Sequence, residues 1–278
     1  MIIDSHHHFW KYNLEEFNWI DDEMKTIRRD FLPNDLKKIL DKVGIDGVIS
    51  VQARQKIEET DWLLTLAEQY DFIKGVTGWL PLFDKKIESY LEKYSNNKNL
   101  KALRHVIQDE PDDNFILRDD FNEGIRLLKQ FDLPYEILIF EKHLPQAIRF
   151  VDRHPQQIFI LDHMAKPRIK DKLFSPWKEN IRQLAKRENV HCKISGMVTE
   201  ANPKHWTYEE LKPYFEIILD TFGPNRLMFG SDWPVCLTAT TYQQWFEVVK
   251  RFIQELSSSE QAALLGNNAI KIYQLNKP

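Results

Sequence analysis

The feature of this chain that most restricts its fold is a regular alternation of short apolar runs with longer amphipathic segments. Eight runs rich in Val, Ile, Leu and Phe have the composition of strands that are buried on both faces, as in a parallel sheet. These predicted strands are residues 2–4, 47–51, 75–79, 102–106, 135–139, 158–161, 191–194 and 227–229. Segments with helical spacing lie between them, at residues 32–43, 60–70, 85–94, 121–131, 144–152, 177–187 and 211–222.

Strands that alternate with helices in this way predict the α/β class and a (β/α)8 TIM barrel. Residues 242–256 and 259–273 predict two closing helices after the last strand. A doubly wound open sheet has a similar rhythm, but its usual glycine-rich turn after the first strand is missing here. Because no internal repeat and no linker rich in Pro, Gly or Ser interrupts the pattern, we expect one domain over residues 1–278.

The composition excludes several classes of protein. Hydrophobic residues make up 42% and aromatic residues 12% of the chain, which argues against disorder. The net charge of −4, with both signs mixed, predicts no nucleic-acid partner and no membrane patch. The first residues lack the pattern of a signal peptide, and no run of about 18 apolar residues predicts a membrane span. Cys192 and Cys236 are expected to be buried, reduced thiols, so we expect a cytoplasmic protein.

Polar side chains collect at the predicted strand ends, where the active sites of such barrels lie. The first strand is followed by His6, His7 and His8. Because side chains alternate across a strand, His6 and His8 should face one side and His7 the other. Two imidazoles on one face can hold one divalent ion, although a His-x-His pair alone is weak evidence for a site.

Two later strand ends could complete such a site. His163 follows the sixth strand, where it is either a satisfied core residue or a third ligand. Its neighbour Asp162 should alternate to the other side and support a ligand or pack in the barrel. Asp232 follows the eighth strand and is either a turn residue or a carboxylate in the same pocket. In the second case it would bind metal or act as a general base on water.

Amide and cationic side chains mark three further strand ends: Gln52 and Arg54, Arg104 and His105, and Lys193. Each of them taken alone has a structural explanation. Because Arg104 and His105 are adjacent, at most one of them reaches the pocket from a regular strand. Donors of this kind suit an anionic or hydroxyl-rich substrate and could polarise a carbonyl oxygen.

Two tryptophans adjoin the candidate ligands. Trp10 lies two residues after His8, and Trp233 directly follows Asp232. Either ring could stack on a sugar, and packing at the rim of the barrel is an equally good explanation.

Five segments together resemble the amidohydrolase-2 family, and within it the sugar-lactonase branch, whose members are similar to L-fuconolactonase and L-rhamnonolactonase. The segments are residues 4–10, 103–105 with Gln108 and Glu110, 161–167, 193–196 and 227–234. They follow one another in the family's order and extend over nearly the whole chain. The resemblance implies a TIM-type barrel with His6, His8, His163 and Asp232 at the metal-site positions.

The resemblance also implies a hydrolase that opens a sugar-acid lactone, similar to L-fucono- or L-rhamnono-lactone, to the free acid. Asp232 would take a proton from the attacking water as general base. Donors among Arg104, His105 and Lys193 would hold the oxyanion and the ring hydroxyls. A lactone is an activated ester, so a base worth about 10²–10⁴-fold and an oxyanion donor worth about 10²–10³-fold could suffice.

The chain departs from the fuller family pattern, which uses a carboxylated lysine or a glutamate and two metals. Residues 135–140 run into Glu141, Lys142 and His143 without a suitable histidine ligand, which leaves one divalent metal at most. Imidazole with carboxylate suits zinc, manganese or iron. Some members of the branch work with a weakly held metal or with none, so the resemblance leaves open whether the metal is dispensable.

Other functions stay open at this point. Related barrels decarboxylate aromatic acids or hydrolyse non-sugar lactones with a similar set of His and Asp residues. A non-catalytic barrel that binds sugar acids is a further alternative, but binding alone does not require a base at Asp232. The expected partner is a small-molecule substrate, and the sequence is equally compatible with a monomer or a homodimer.

Overall fold

The computed structural model describes residues 1–275 and contains one eight-stranded parallel sheet whose strands follow chain order. The strands are Ile3–His7 (β1), Gly47–Val51 (β2), Ile73–Gly78 (β3), Leu100–Val106 (β4), Tyr135–Leu138 (β5), Phe159–Leu161 (β6), Val190–Ile194 (β7) and Leu227–Phe229 (β8). The helices are Pro33–Val43 (α1), Ile57–Gln69 (α2), Ile87–Tyr94 (α3), Asp119–Leu128 (α4), Leu144–Asp152 (α5), Trp177–Leu184 (α6), Met197–Glu200 (α7), Tyr208–Phe222 (α8), Tyr242–Ile253 (α9), Ser258–Ala262 (α10) and Asn268–Ile272 (α11).

The predicted (β/α)8 barrel is confirmed, and every predicted strand is present with its ends shifted by three residues or fewer. The barrel closes where the segment after β8 returns to β1. The amide of His8 donates to the carbonyl of Trp233 at 2.7 Å, and the amide of Asp232 donates to the carbonyl of His6 at 2.8 Å. This closure places the segment that follows β8 directly beside the histidines of β1.

Two predicted boundaries are wrong in an informative way. β1 continues to His7, so that His6 lies within the strand and not after it. The second closing helix is interrupted by a π-helical segment, Ala263–Asn267, between α10 and α11. A Cβ atom on Gly266 would lie 2.1 Å from the carbonyl oxygen of Met1, so the N-terminal segment packs directly on the backbone of this turn.

Side chains fill the barrel interior in layers, as is usual for this fold. The layer at the N-terminal ends of the strands is apolar and packs against α11 and the residue that follows it. Its members are Ile3, Ile49, Ala102, Ile160 and Met228, with Ile272 and Tyr273 below them. Within residues 1–275, this layer closes the barrel at the N-terminal ends of the strands.

Two further expectations concern the chain as a whole. Cys192 and Cys236 are both buried free thiols, as the sequence predicts. Among the helices of residues 1–275, none is long and apolar enough to cross a membrane. The last three residues of the predicted domain over residues 1–278 lie outside the described part.

Candidate active site

A pocket of about 440 Å³ opens at the carboxyl ends of the strands. Its buried polar lining consists of His8, Arg104, His163 and Asp232. The remaining polar and aromatic side chains of its wall are Glu15, Glu16, Asn18, Trp19, Arg54, Gln55, Lys56, Gln108, Asp109 and Lys166. Because the wall contains donors and acceptors of both charges, it can bind a ligand that is rich in hydroxyl groups.

The two alternate histidines of the first strand meet at this pocket, which His8 lines. Nε2 of His6 lies 3.2 Å from Nε2 of His8, and both rings are buried. The ring of His7 points away from them, and its Nε2 lies 2.9 Å from the hydroxyl of Ser50. The arrangement expected from strand alternation is therefore present.

Asp232 lies in the same corner, and its own backbone is left-handed, with φ 55°. Its Oδ1 lies 3.5 Å from Nε2 of His8. The preceding residue is held by Asp4, whose Oδ1 accepts from the amide of Ser231 at 2.8 Å, while its Oδ2 accepts from the hydroxyl of Tyr242 at 3.0 Å. Burial raises the pKa of Asp4 to about 6, although these hydrogen bonds lower it. Asp4 therefore fixes the segment that carries Asp232 to β1.

His163 reaches the pocket through an unusual turn directly after β6. His163, Met164, Ala165 and Lys166 all have φ between 49° and 58°, in the left-handed region. Such a conformation costs roughly 1–2 kcal/mol for each residue that is not glycine. The indole of Trp177 compensates in part by donating to the carbonyl of Met164 at 2.8 Å. A Cβ atom on Gly196 would lie 2.9 Å from the ring of His163, so only glycine fits beside the turn.

The donor atoms of this corner fit a divalent cation. Nε2 of His6 and Oδ1 of Asp232 are 3.8 Å apart, and each lies within 3.5 Å of Nε2 of His8. Tetrahedral bonds of about 2.0–2.1 Å separate neighbouring ligand atoms by roughly 3.4 Å. His8 donates from Nδ1 to the carbonyl of Val51 at 2.8 Å, which leaves the lone pair of its Nε2 for a metal.

The four predicted ligands lie in two overlapping sets. Within residues 1–275, the ligand atoms of His6, His8 and Asp232 form one set, and those of His6, Asp162 and His163 form another. In each set the ligand atoms lie within 4.8 Å of one another. His6 belongs to both sets, so the structure brings the four predicted residues together. Only the set of His6, His8 and Asp232 consists entirely of predicted ligands.

The surroundings of this corner determine the protonation states of its histidines and of Asp232. Burial, reinforced by Lys193, lowers the pKa of His6 well below its usual range. Burial also lowers the pKa of His163 to about 4, so both rings are neutral near pH 7. Burial alone would raise the pKa of Asp232, but the nearby His163 and the hydrogen bond to His8 lower it. Asp232 is therefore ionised at neutral pH.

A second polar layer lies between this corner and the apolar layer. Lys193 contacts Glu136 at 2.6 Å, Asp162 at 3.1 Å and Nδ1 of His6 at 3.1 Å. The carboxylate of Asp162 also accepts from Arg104 at 2.9 Å. Burial would raise the pKa of Asp162, but Lys193 and the other partners hold it well below its usual range. These four charged side chains, Arg104, Glu136, Asp162 and Lys193, are called the ionic layer below.

The relationship to known proteins agrees with this geometry. The model of the amidohydrolase family matches residues 3–275. The chain belongs to this family. It is 37% identical to the L-fucono-1,5-lactonase of Burkholderia multivorans, over 99% of this chain and 97% of that protein. It is 31% identical to the L-fucono-1,5-lactonase of Burkholderia ambifaria, over 99% and 96% of the two chains.

A solved structure is similarly close to this amidohydrolase. It is a crystal structure of an amidohydrolase from Burkholderia multivorans with bound zinc, which is 36% identical and superimposes with a TM-score of 0.95. The alignment covers 99% of both chains. The family and the sugar-lactonase branch expected from the sequence motifs are thus confirmed.

Several predicted site residues lie away from the pocket of the amidohydrolase. His105 faces outward from β4, where its Nε2 contacts Glu110 at 2.6 Å and its ring stacks on Phe115 at 4.8 Å. Arg104, its neighbour, is the one of the pair that reaches the pocket. Lys193 lies beneath His6 in the ionic layer and does not line the pocket. Gln52 is also buried, and its side-chain amide donates to the carbonyl of Arg104 at 3.3 Å.

The two predicted tryptophans pack in the core instead of facing a ligand. Trp10 is buried against Phe31, and its indole donates to the carbonyl of Arg29 at 2.9 Å. Trp233 is buried and packs against the same Phe31 ring at 5.1 Å. Trp19 lines the pocket in their place and is 37% exposed. It lies far from any predicted strand end, so no local signal in the sequence identified it.

Lys166 lines the pocket but was not among the predicted site residues. It belongs to the resembling segment over residues 161–167, but strand alternation gives no direction for a residue five positions after the end of β6. Its direction follows from the left-handed turn, which strand and helix periodicities do not describe. Arg54, by contrast, was predicted and does line the pocket.

Proposed function

We propose that this amidohydrolase hydrolyses the lactone of a six-carbon sugar acid, such as L-fucono-1,5-lactone, to the free acid. The observation that carries the proposal is an ionised Asp232 in a pocket whose wall offers both donors and acceptors to hydroxyl groups. The full-length identity of 37% to an L-fucono-1,5-lactonase supports the same substrate class.

Asp232 acts as the general base in this proposal. One of its carboxylate oxygens takes a proton from a water molecule while the water oxygen bonds to the lactone carbonyl carbon. The oxyanion then collapses, the bond from the carbonyl carbon to the ring oxygen breaks, and the proton passes from Asp232 to that oxygen. One water is consumed, and the product is the open hydroxy acid.

The other predicted site residues divide between binding and support. Arg54 donates to Glu59 at 3.2 Å and also pairs with Glu16, so it holds the acidic wall in place for ring hydroxyls. Arg104 forms the base of the pocket and is fixed by Asp162 and by the carbonyl of Gln52. Lys193 acts through His6, and His105 supports β4 from the outside.

A divalent ion would be held by His6, His8 and Asp232, with His163 as the remaining candidate ligand. When bound, such an ion lowers the pKa of a coordinated water and polarises a carbonyl oxygen. We propose zinc or manganese, and the zinc-bound relative supports zinc. Whether turnover needs the ion stays a prediction to test.

Four coarser statements accompany this function. The chain acts as one domain, because residues near its start and residue 233 share the closure of the barrel. Its substrate is a small molecule, while a monomeric or homodimeric state and a cytoplasmic location stay predictions.

A panel of lactones tests the proposed function. The purified protein is mixed with 1,5- and 1,4-lactones of six-carbon sugar acids, and acid release is followed with a pH indicator, with and without a chelator. We expect turnover of at least one sugar lactone and none of an aromatic acid, for which CO2 release is measured in parallel. Release of CO2 without any lactone hydrolysis would show a decarboxylase, and binding of sugar acids without turnover would show a non-catalytic barrel.

A further inference from the structure

The cations of the pocket wall differ in how they are paired. Arg54, Lys56, Arg104 and Lys166 are the lysines and arginines among the lining residues. Three of them are neutralised within the protein: Arg54 by Glu16 and Glu59, Lys56 by Glu16 at 2.5 Å, and Arg104 by Asp162 at 2.9 Å. Lys166 has no carboxylate within 4.0 Å among residues 1–275, so its ammonium keeps its donors for a ligand.

The position of Lys166 results from the turn that also positions His163. The amide of Lys166 donates to the carbonyl of His163 at 2.8 Å, which closes the left-handed turn over these four residues. The turn is fixed on both sides, by Trp177 at the carbonyl of Met164 and by the hydroxyl of Ser195 at Nδ1 of His163. A strained backbone persists only where its surroundings determine it, and such places are frequent at functional sites.

The side chain of Lys166 lines the same pocket as Asp232 and His163. The ammonium of Lys166 lies over the ring of Phe140, with Nζ 5.2 Å from the ring centroid. Lys166 therefore faces the same volume of the pocket in which Asp232 would activate water.

We propose that Lys166 is a catalytic residue that binds the lactone carbonyl oxygen and stabilises the oxyanion during hydrolysis. This inference rests on the proposed function. The attacked carbon must lie about 3–3.5 Å from the water that Asp232 activates, which brings its oxygen within reach of a cation near Asp232. The same oxygen becomes part of the carboxylate of the product, so Lys166 also binds the product acid.

The assignment also explains why the other candidate donors do not fill this role. Lys193 is separated from the pocket by His6, and His105 lies on the outer face of β4. The charge of Arg104 is already compensated by Asp162, to which Nη1 donates at 2.9 Å, while Nη2 donates to the carbonyl of Gln52. Arg54 and Lys56 are paired with carboxylates and belong to the segment after β2, from which they would contact the ring hydroxyls of the substrate.

The test compares Lys166→Met and Lys166→Arg with the wild type on sugar lactones that differ only in hydroxyl configuration. Lys170→Met is the matched control, because Lys170 is exposed on the same segment and does not line the pocket. We expect Lys166→Met to lower kcat about 10²–10³-fold for every lactone that the wild type hydrolyses. Lys166→Arg should recover part of that loss, and product inhibition should weaken about tenfold in Lys166→Met. Lys170→Met should match the wild type in all three measurements, and circular dichroism should give the same Tm for all variants.

Three outcomes would overturn the inference. Lys166→Met within threefold of the wild type would show that the ammonium does not stabilise the oxyanion. A loss restricted to one hydroxyl configuration would show that Lys166 binds a ring hydroxyl instead. A wild type that hydrolyses no lactone would refute the proposed function as well, whereas an active wild type with an equally active Lys166→Met refutes the inference alone.

Discussion

The barrel contains two neighbouring groups of polar side chains that differ in how their charges are partnered. In the ionic layer, one oxygen of Glu136 accepts from Thr77 at 2.7 Å and Tyr273 at 2.6 Å, and the other accepts from Lys193. In the corner above it, Asp232 and Nε2 of His8 face a pocket that is open to solvent. His6 belongs to both groups, through Nδ1 below and Nε2 above.

The difference shows that charge inside a barrel has two uses. Where donors and acceptors are directed mainly at one another, they fix side-chain positions. Where a carboxylate and imidazole lone pairs converge on open space, they can bind a metal ion or activate water. Variants in each of the two groups test this division.

Asp232→Asn tests the open corner. We expect kcat/KM for the best lactone to fall about 10²–10⁴-fold, because an amide cannot accept the proton of water. The Tm should change little, and the Kd for the product acid should stay within a few-fold of that of the wild type. An Asp232→Asn enzyme with full turnover on all lactones would refute the assignment of the base.

Lys193→Met tests the closed layer. Removing Lys193 leaves the buried Glu136 without its cationic partner and Asp162 with Arg104 alone, so we expect a loss of about 3–5 kcal/mol in the free energy of unfolding. Urea denaturation measures it. The matched double variant Lys193→Met with Glu136→Gln should recover part of the loss, since the amide oxygen can still accept from Thr77 and Tyr273. If the single variant is as stable as the wild type, the ionic layer does not contribute as described.

Ser195→Ala tests whether His163, whose ring is oriented by the hydroxyl of Ser195, is a metal ligand. The hydroxyl of Ser195 lies 2.8 Å from Nδ1 of His163, and removing such a partner usually weakens metal affinity about 10–100-fold. Competition with a chromophoric chelator measures zinc affinity. Ser50→Ala is the control, because Ser50 contacts His7 outside the pocket and should leave zinc affinity unchanged. Equal affinities in the two variants would place His163 outside the metal site.

The smallest effect is expected from a histidine outside both groups. Burial lowers the pKa of His191 to about 4, whereas in the unfolded chain a histidine titrates near 6.5. The unfolded state therefore binds more protons between these values, so stability present above pH 6.5 is lost as the pH falls toward 4. His191→Gln should reduce the difference in Tm between pH 7 and pH 4.5. An unchanged difference would assign the acid sensitivity to other groups.

The fold was predictable because its signal is local and repeated. The run Leu144–Asp152, for example, was predicted with the observed bounds, since one apolar face of a helix is visible in the sequence. The first strand was predicted too short because His6 and His7 are polar, whereas in the barrel β1 continues among buried partners. Polar residues of a catalytic strand violate the apolar pattern that identifies strands elsewhere.

The candidate site was predictable only where strand geometry applies. His8 and Arg104 line the pocket, and His6 meets His8 on the same side of β1, as alternation along a strand allows. The outward direction of His105 follows from the same rule, but the rule does not say which of two neighbours faces inward. Trp10 and Trp233 were interpreted from their proximity in sequence to ligands, which says nothing about the direction of a ring after a strand has ended.

Residue type and spacing along the chain were enough to predict the eightfold alternation and the family, and to propose His6, His8, His163 and Asp232 as site residues. Which polar groups are paired and which stay open depends on the folded barrel. Lys193 and Lys166 are both lysines beside a strand end, yet one is enclosed by Glu136 and Asp162 and the other faces the pocket. Pairing depends on side chains that come from distant strands and on a left-handed turn, and neither is encoded in local periodicity.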